Sequence, residues 1–155
     1  MAPHTTKIER TSDRELVVTR QIVAPAALVF KAWTTPEIMR RWWVPKSAPM
    51  RLDSCDMDVR TGGTYRLVFT MGEHSMAFFG TYLDVVPNQR IVWSNEESDQ
   101  GAVSTLTLSE AGGKTQLTLR EAYPTAEALA LNAEGTEGGM PEQLAQLEEL
   151  LATMT

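Results

Sequence analysis

Apolar residues fall at every second position over much of this chain, and the spacing lengthens to three and four only near residue 30 and again toward the C-terminal end. Alternation puts successive side chains on opposite faces of a strand, whereas the longer spacing gathers them on one face of a helix. Residues 15–23, ELVVTRQIV, are rich in β-branched side chains and read as a strand, stopped by Ala24-Pro25. Pro25 suits a helix start, and AALVFKAW then sets Val29, Phe30 and Trp33 at helical spacing. Thr35, Pro36 and Glu37 supply a cap, a proline for the first turn and an acid beside the positive end of the helix. PEIMRRWW is therefore predicted as a second short helix, ended by Pro45 and Pro49.

From there on, short apolar runs are separated by turn residues. MRLDSCDMDV is a weak strand, TYRLVFTM a strong one after Gly62-Gly63, and SMAFFGTYLDVV a long one after Gly72-Glu73-His74. RIVWSNE follows Pro87-Asn88, AVSTLTLSE follows residues 99–101, and KTQLTLREA follows Gly112-Gly113. In the last two, Leu106, Leu108, Leu117 and Leu119 alternate with threonines, the pattern of an antiparallel sheet covered on one face and wet on the other. The cover comes from the C-terminal segment, where Met140, Leu144, Leu147, Leu151 and Met154 lie on one helical face. Pro141 fits the start of that helix. AEALALNA offers a helical turn or two before it, and the glycines of EGTEGG predict a break or kink between them. The fold class is α+β: a curved antiparallel sheet around a C-terminal helix, with two short helices after the first strand. Such a sheet can leave a gap at one end for aromatic residues to line.

Composition narrows the classes. At 155 residues and 43% hydrophobic the chain can bury a core without staples. The polar residues 1–12 read as a loose arm, and residues 13–155 as a single domain. One cysteine, Cys55, makes no internal disulfide, and neither a signal peptide nor a membrane-spanning apolar run is evident, so a cytoplasmic setting is expected. The net charge of −6 is uneven: residues 121–155 hold seven glutamates and no lysine or arginine, leaving the remainder near +1. Nucleic acid is not an expected partner. The dense basic patch of Arg40, Arg41, Lys46 and Arg51 reads as a solvated face whose stems cover apolar rings.

By alternation Tyr65, Leu67 and Phe69 share a face, as do Phe78, Gly80 and Tyr82, and Ile91 and Trp93. These are assigned to the concave side, either as plain core or as cavity lining, although Phe79, Leu83 and Val85 form a rival apolar set. Trp33 and Trp42 either pin the short helices over the open end of the sheet or also touch a ligand, with Trp43 expected nearer the surface. Polar residues in phase with the apolar faces carry more information. Asn95 follows Ile91 and Trp93, Glu121 follows Leu117 and Leu119, and Arg20 alternates with Val18 and Ile22. They sit at wet strand ends, or Arg20 pairs with Glu121, or they bond a ligand. Catalytic signatures are scarce: His74 falls in a turn, Cys55 has no histidine near it in sequence, and Asp53, Asp56 and Asp58 lack calcium-loop spacing. No cofactor or metal site is expected, and the chain is read as more a binder than an enzyme.

The strings TRQIVAPAALVFKAWTTPEIMRRWWVP, GGTYRLVF, GTYLDVVPNQRIVW and GGMPEQLAQLEELL run in order over nearly the whole chain. In them the sequence resembles the START-like, or birch-pollen-allergen-like, superfamily, and within it the family named for the activator of the heat-shock protein 90 ATPase. The resemblance implies a helix-grip fold with a hydrophobic cavity between the sheet and the C-terminal helix. One departure is Gly139-Met140-Pro141, where the family often has a tryptophan after the glycine. The expected ligand contacts are Trp33, Trp42, Tyr65, Leu67, Phe69, Phe78, Tyr82, Trp93, Asn95 and Glu121, with Met140, Leu144 and Leu147 from the helix. The expected function is binding of a small hydrophobic or amphipathic ligand. The alternatives are a cyclase or hydrolase using Asn95, Glu121, Arg20 or Tyr82, and an interaction module contacting a chaperone or a second copy through the Arg40 to Arg51 surface.

Overall fold

The computed structural model describes residues 6–154. In chain order its elements are β1 (Lys7–Arg10), β2 (Glu15–Ile22), α1 (Ala26–Thr34), α2 (Pro36–Met39), β3 (Arg51–Met57), β4 (Thr64–Met71), β5 (His74–Val86), β6 (Arg90–Ser94), β7 (Val103–Ala111), β8 (Lys114–Ala122) and α3 (Ala126–Ala152). The strands form one antiparallel sheet in the order β1-β2-β8-β7-β6-β5-β4-β3. The predicted meander is β3 to β8. It is closed at β8 by the β1-β2 hairpin, and it curves around α3.

Leu106, Leu108, Leu117 and Leu119 are buried, meeting Leu144, Leu147 and Leu151 of α3 in one continuous core. Gly112 and Gly113, at φ of 60° and 76°, make the two-residue turn between β7 and β8; the strand twist requires positive φ there, which a side chain would strain. Two register shifts bend the strands, between Leu52 and Ser54 in β3 and between Tyr82 and Asp84 in β5. They also move side chains between faces. Leu52 and Cys55, three apart, are both buried, so strict alternation fails and β3 reads as weak. On β5, Phe79 and Leu83 remain exposed while Val85, beyond the shift, packs against the core.

Three expectations change. Lys7–Arg10, within the segment expected to be a loose arm, is a strand, so the two short helices follow the second strand of the chain. Ile8 packs on the core, and the Arg10 guanidinium donates two 3.0 Å bonds to the Glu137 carboxylate on α3. The strand covers the edge of β2, whose backbone groups would otherwise lack partners. The remainder of the arm, residues 1–5, lies outside the described residues. Second, α2 ends at Met39, after which Arg41 and Trp42 donate to carbonyls only three residues back, a tightening that replaces the helical step. Third, α3 runs unbroken through Gly135, Gly138, Gly139 and Pro141. Thr125 caps it by accepting from the Ala128 N–H, and Ala128, Leu129 and Ala133 pack on Ala102 and Tyr123. Packing at both ends outweighs the poor helix propensity of the middle.

α3 is fastened to the rest of the fold by polar contacts. Arg20, 8% exposed, donates to Glu148 at 2.8 Å, and Glu148 also accepts from the Val23 N–H. Arg20 therefore pairs with Glu148 on α3 and with the Thr6 hydroxyl, not with Glu121, and it is buried instead of lying at a wet strand end. Gln146, buried, accepts from the Lys46 N–H and donates to the Trp42 and Val44 carbonyls. Glu142 accepts from the Ser47 N–H and hydroxyl, and Gln143 donates to the Trp43 carbonyl.

Candidate functional site

Those contacts hold the segment after α2 against α3, and a cavity of about 670 Å³ opens beneath it between helix and sheet. Small-molecule sites commonly occupy about 300–1,000 Å³. The room arises from small residues on one stretch of α3. Gly135 and Gly139 face the cavity, and a Cβ at Gly135 would meet no atom within 4 Å.

Ten of the expected residues line this space: Trp33, Tyr65, Leu67, Phe69, Phe78, Tyr82, Trp93, Asn95, Glu121 and Met140. Three do not. Leu144 and Leu147 are wholly buried, further along α3, where the helix packs directly on the sheet. Trp42 is wholly buried as well, its indole N–H donating to the Ala32 carbonyl at 3.1 Å. Trp43 takes its place in the wall. It was expected nearer the surface because helical neighbours diverge by about 100°, but α2 ends at Met39 and both indoles stand on the segment beyond it. The four tryptophans form one cluster: Trp33 lies with ring centroids 5.0 Å from Trp42, 5.7 Å from Trp43 and 5.9 Å from Trp93. The buried Trp33 indole N–H has no hydrogen-bond partner. Met39, Met50 and Met57 add flexible apolar surface to the same wall.

The other end of the cavity is polar. The Tyr65 hydroxyl lies 2.7 Å from the Ser94 carbonyl and 3.1 Å from Asn95 Oδ1. Asn95 Nδ2 donates to the Ala102 carbonyl and, at 3.2 Å, to Ser104 Oγ, and Ser104 in turn donates to Glu121 Oε2 at 3.1 Å. Thr136 of α3 donates to Glu121 Oε1 at 3.4 Å, and the Tyr123 hydroxyl also bonds that carboxyl. The chain of contacts thus runs from β4 through β6, β7 and β8 to α3. Glu121 is packed among protein atoms, yet it keeps accessible surface because the cavity reaches it. Burial pushes its carboxyl above the usual range, against the lowering effect of the hydroxyls around it. Burial likewise raises the Tyr65 and Tyr82 hydroxyls, which stay protonated donors. Ser104, Tyr123 and Thr136 were not anticipated. Ser104 and Tyr123 are in phase with Leu106 and Glu121, so alternation could have found them, whereas Thr136 sat in a segment read as a helix break.

Other reactive groups stand apart. The Cys55 thiol is pushed up to about 11 by burial, and His74, expected in the turn, is the exposed first residue of β5, paired with Met71. Among the described residues no group of three or more His, Cys, Asp or Glu could hold a metal ion, and no helix is long and apolar enough to cross a membrane. The basic patch is partly engaged, with Arg40 donating to the Leu52 and Asp53 carbonyls and Arg51 to the Asp53 carboxylate.

A curved antiparallel sheet wrapped on a long C-terminal helix, with an aromatic cavity between them, defines a helix-grip protein of the START-like class. Residues 23–152 match the family model described as activator of Hsp90 ATPase homolog 1-like protein, and the chain belongs to that family. Its fold is similar to that of a Rhodobacter sphaeroides protein (TM-score 0.88, 24% identity, 97% of this chain and 99% of that one). It is also similar to that of a Nitrosomonas europaea protein (0.84, 24%, 95% and 99%). An AHSA1-like protein from Aeromonas hydrophila matches at TM-score 0.72 and 19% identity over 86% of this chain and 93% of that one. Comparison with curated proteins finds no match.

Proposed function

We propose that this protein binds a small ligand with a substantial apolar body in the cavity between the sheet and α3. The observation that carries this reading is the 670 Å³ space whose wall includes eight aromatic and four methionine side chains, with a hydrogen-bonded network of Tyr65, Asn95 and Glu121 at one end. A solid core would have left no such volume, because interiors pack as densely as organic crystals. Each aromatic ring presents about 150–250 Å² for an apolar ligand to cover. The polar end then orients what the apolar wall holds. Titration with Nile red, an uncharged dye whose emission rises in apolar surroundings, tests the reading. Saturable 1:1 binding is expected in the parent protein, with loss of at least tenfold in affinity in Gly135→Leu, which puts a side chain into the open space. Emission that never saturates, or that Gly135→Leu leaves unchanged, overturns it.

A further inference from the structure

The charges of the cavity are one-sided. Its wall holds two carboxylates, Glu121 and Glu97, and no lysine, arginine or histidine among the described residues. Arg20, the buried cation nearest in kind, is committed to Glu148. Among the described residues Glu121 hydrogen-bonds with hydroxyls, those of Ser104, Thr136 and Tyr123. A carboxyl in such surroundings lacks the opposite charge that would make its ionised form favourable. Trp33, Trp43 and Trp93 give the rest of the wall an apolar surface for the body of a ligand whose head group reaches Glu121. An anionic head group reaching the polar end would meet the Glu121 carboxyl, with no cationic side chain in the wall to neutralise it.

We propose that the cavity selects a lipophilic cation, an apolar body bearing an ammonium or quaternary ammonium group that pairs with the Glu121 carboxylate, and that it rejects carboxylate-bearing ligands such as fatty acids. This rests on the binding reading above and narrows it to a charge class. Glu121 supplies the missing half of an ion pair, and the ligand supplies the other half. Coulomb attraction inside an apolar cavity is several times stronger than in water, so one such pair can dominate selection among ligands of equal shape. Burial raises the Glu121 carboxyl above its usual range, so a cation arriving at a pH where the group is still protonated displaces a proton, and at higher pH it meets the carboxylate directly. Of the other groups that face it, Tyr65 and Tyr123 stay protonated, Ser104, Asn132 and Thr136 carry no charge, and Glu97 lies at the exposed mouth.

Isothermal titration calorimetry with three naphthyl probes of matched skeleton tests this: a trimethylammonium, an alcohol and a carboxylate. The quaternary probe keeps its charge at every pH and has no ionisable proton, so any proton released in buffers of different ionisation enthalpy comes from the protein. At pH 8 the ammonium probe is expected to bind at least tenfold more tightly than the alcohol, and the carboxylate at least tenfold more weakly. The preference shrinks as pH falls and Glu121 protonates. In Glu121→Gln the ammonium advantage and the proton release below pH 8 both vanish, while a circular dichroism spectrum like the parent's shows that the variant is folded. Equal affinity for alcohol and ammonium in the parent protein, or tighter binding of the carboxylate, overturns the charge selection but leaves the apolar carrier intact. Binding of none of the three overturns both.

Discussion

Trp42 and Trp33 stand side by side and carry different burdens. Trp42 is sealed from solvent and its N–H is paired with Ala32, whereas Trp33 faces the cavity with its N–H unpartnered. Trp42→Phe removes a ring segment and also strands a buried carbonyl, which together cost about 2–3 kcal/mol. Trp33→Phe loses a ring segment but also removes a donor that had no acceptor, so about 1 kcal/mol is expected. Urea denaturation of the two variants checks the order. Glu121 gives the second prediction at this scale. Its folded pKa is raised above the ordinary value of 4.5, so the stability it contributes is complete below pH 4.5 and is lost as pH rises through the folded value. The hydrogen-bonded carboxylates Glu15, Asp53, Glu96, Glu137 and Glu142, nearer the surface, are shifted the opposite way and lose their contributions in acid. Comparison with Glu121→Gln subtracts them. The parent protein is expected to lose stability relative to the variant from pH 4.5 upward, and parallel curves would contradict the buried placement of Glu121.

At the scale of elements, glycines separate two demands. Gly135 and Gly138 lie in the interior of α3, and an added Cβ at either meets nothing within 4 Å. Gly135→Ala and Gly138→Ala are therefore expected to stabilise the protein by about 0.5–1 kcal/mol each, through helix propensity and a less flexible unfolded chain. Gly101 is the opposite case, since a Cβ there would lie 1.9 Å from the Asn95 carbonyl oxygen. Gly101→Ala must move Asn95 and with it the bonds to Tyr65 and Ser104, so a drop in melting temperature is expected where the helix variants show a rise. Most elements were legible in the sequence because each states its period over enough residues. β7 and β8 alternate without fault, and the α3 stripe from Met140 to Leu151 is buried as its spacing implied. What failed to show was local backbone behaviour. The register shift in β3 breaks alternation, β1 has one inward apolar residue, and an unbroken α3 depends on packing at Ala102 and Tyr123 that no local rule encodes.

For the molecule as a whole, the same reasoning divides the site. Alternation found the sheet-borne wall, Tyr65 through Trp93 and on to Glu121, because strand phase alone decides which side chains turn inward. It overreached on α3, where Leu144 and Leu147 share the stripe with Met140 yet pack on the sheet, since a helical face does not say where the sheet draws away from it. It also exchanged Trp42 for Trp43, because the end of α2 is set by tertiary bonds from Gln143 and Gln146 to the backbone that follows. The central claim is that the space under the tryptophans is real and accepts an apolar body. A crystal structure of the protein with a bromonaphthyl ligand, phased on the bromine, tests it most directly. The expected result is an anomalous peak inside the cavity, between Trp93 and Met140. Bromine found only on the outer surface, with side chains closed over the space, would contradict it.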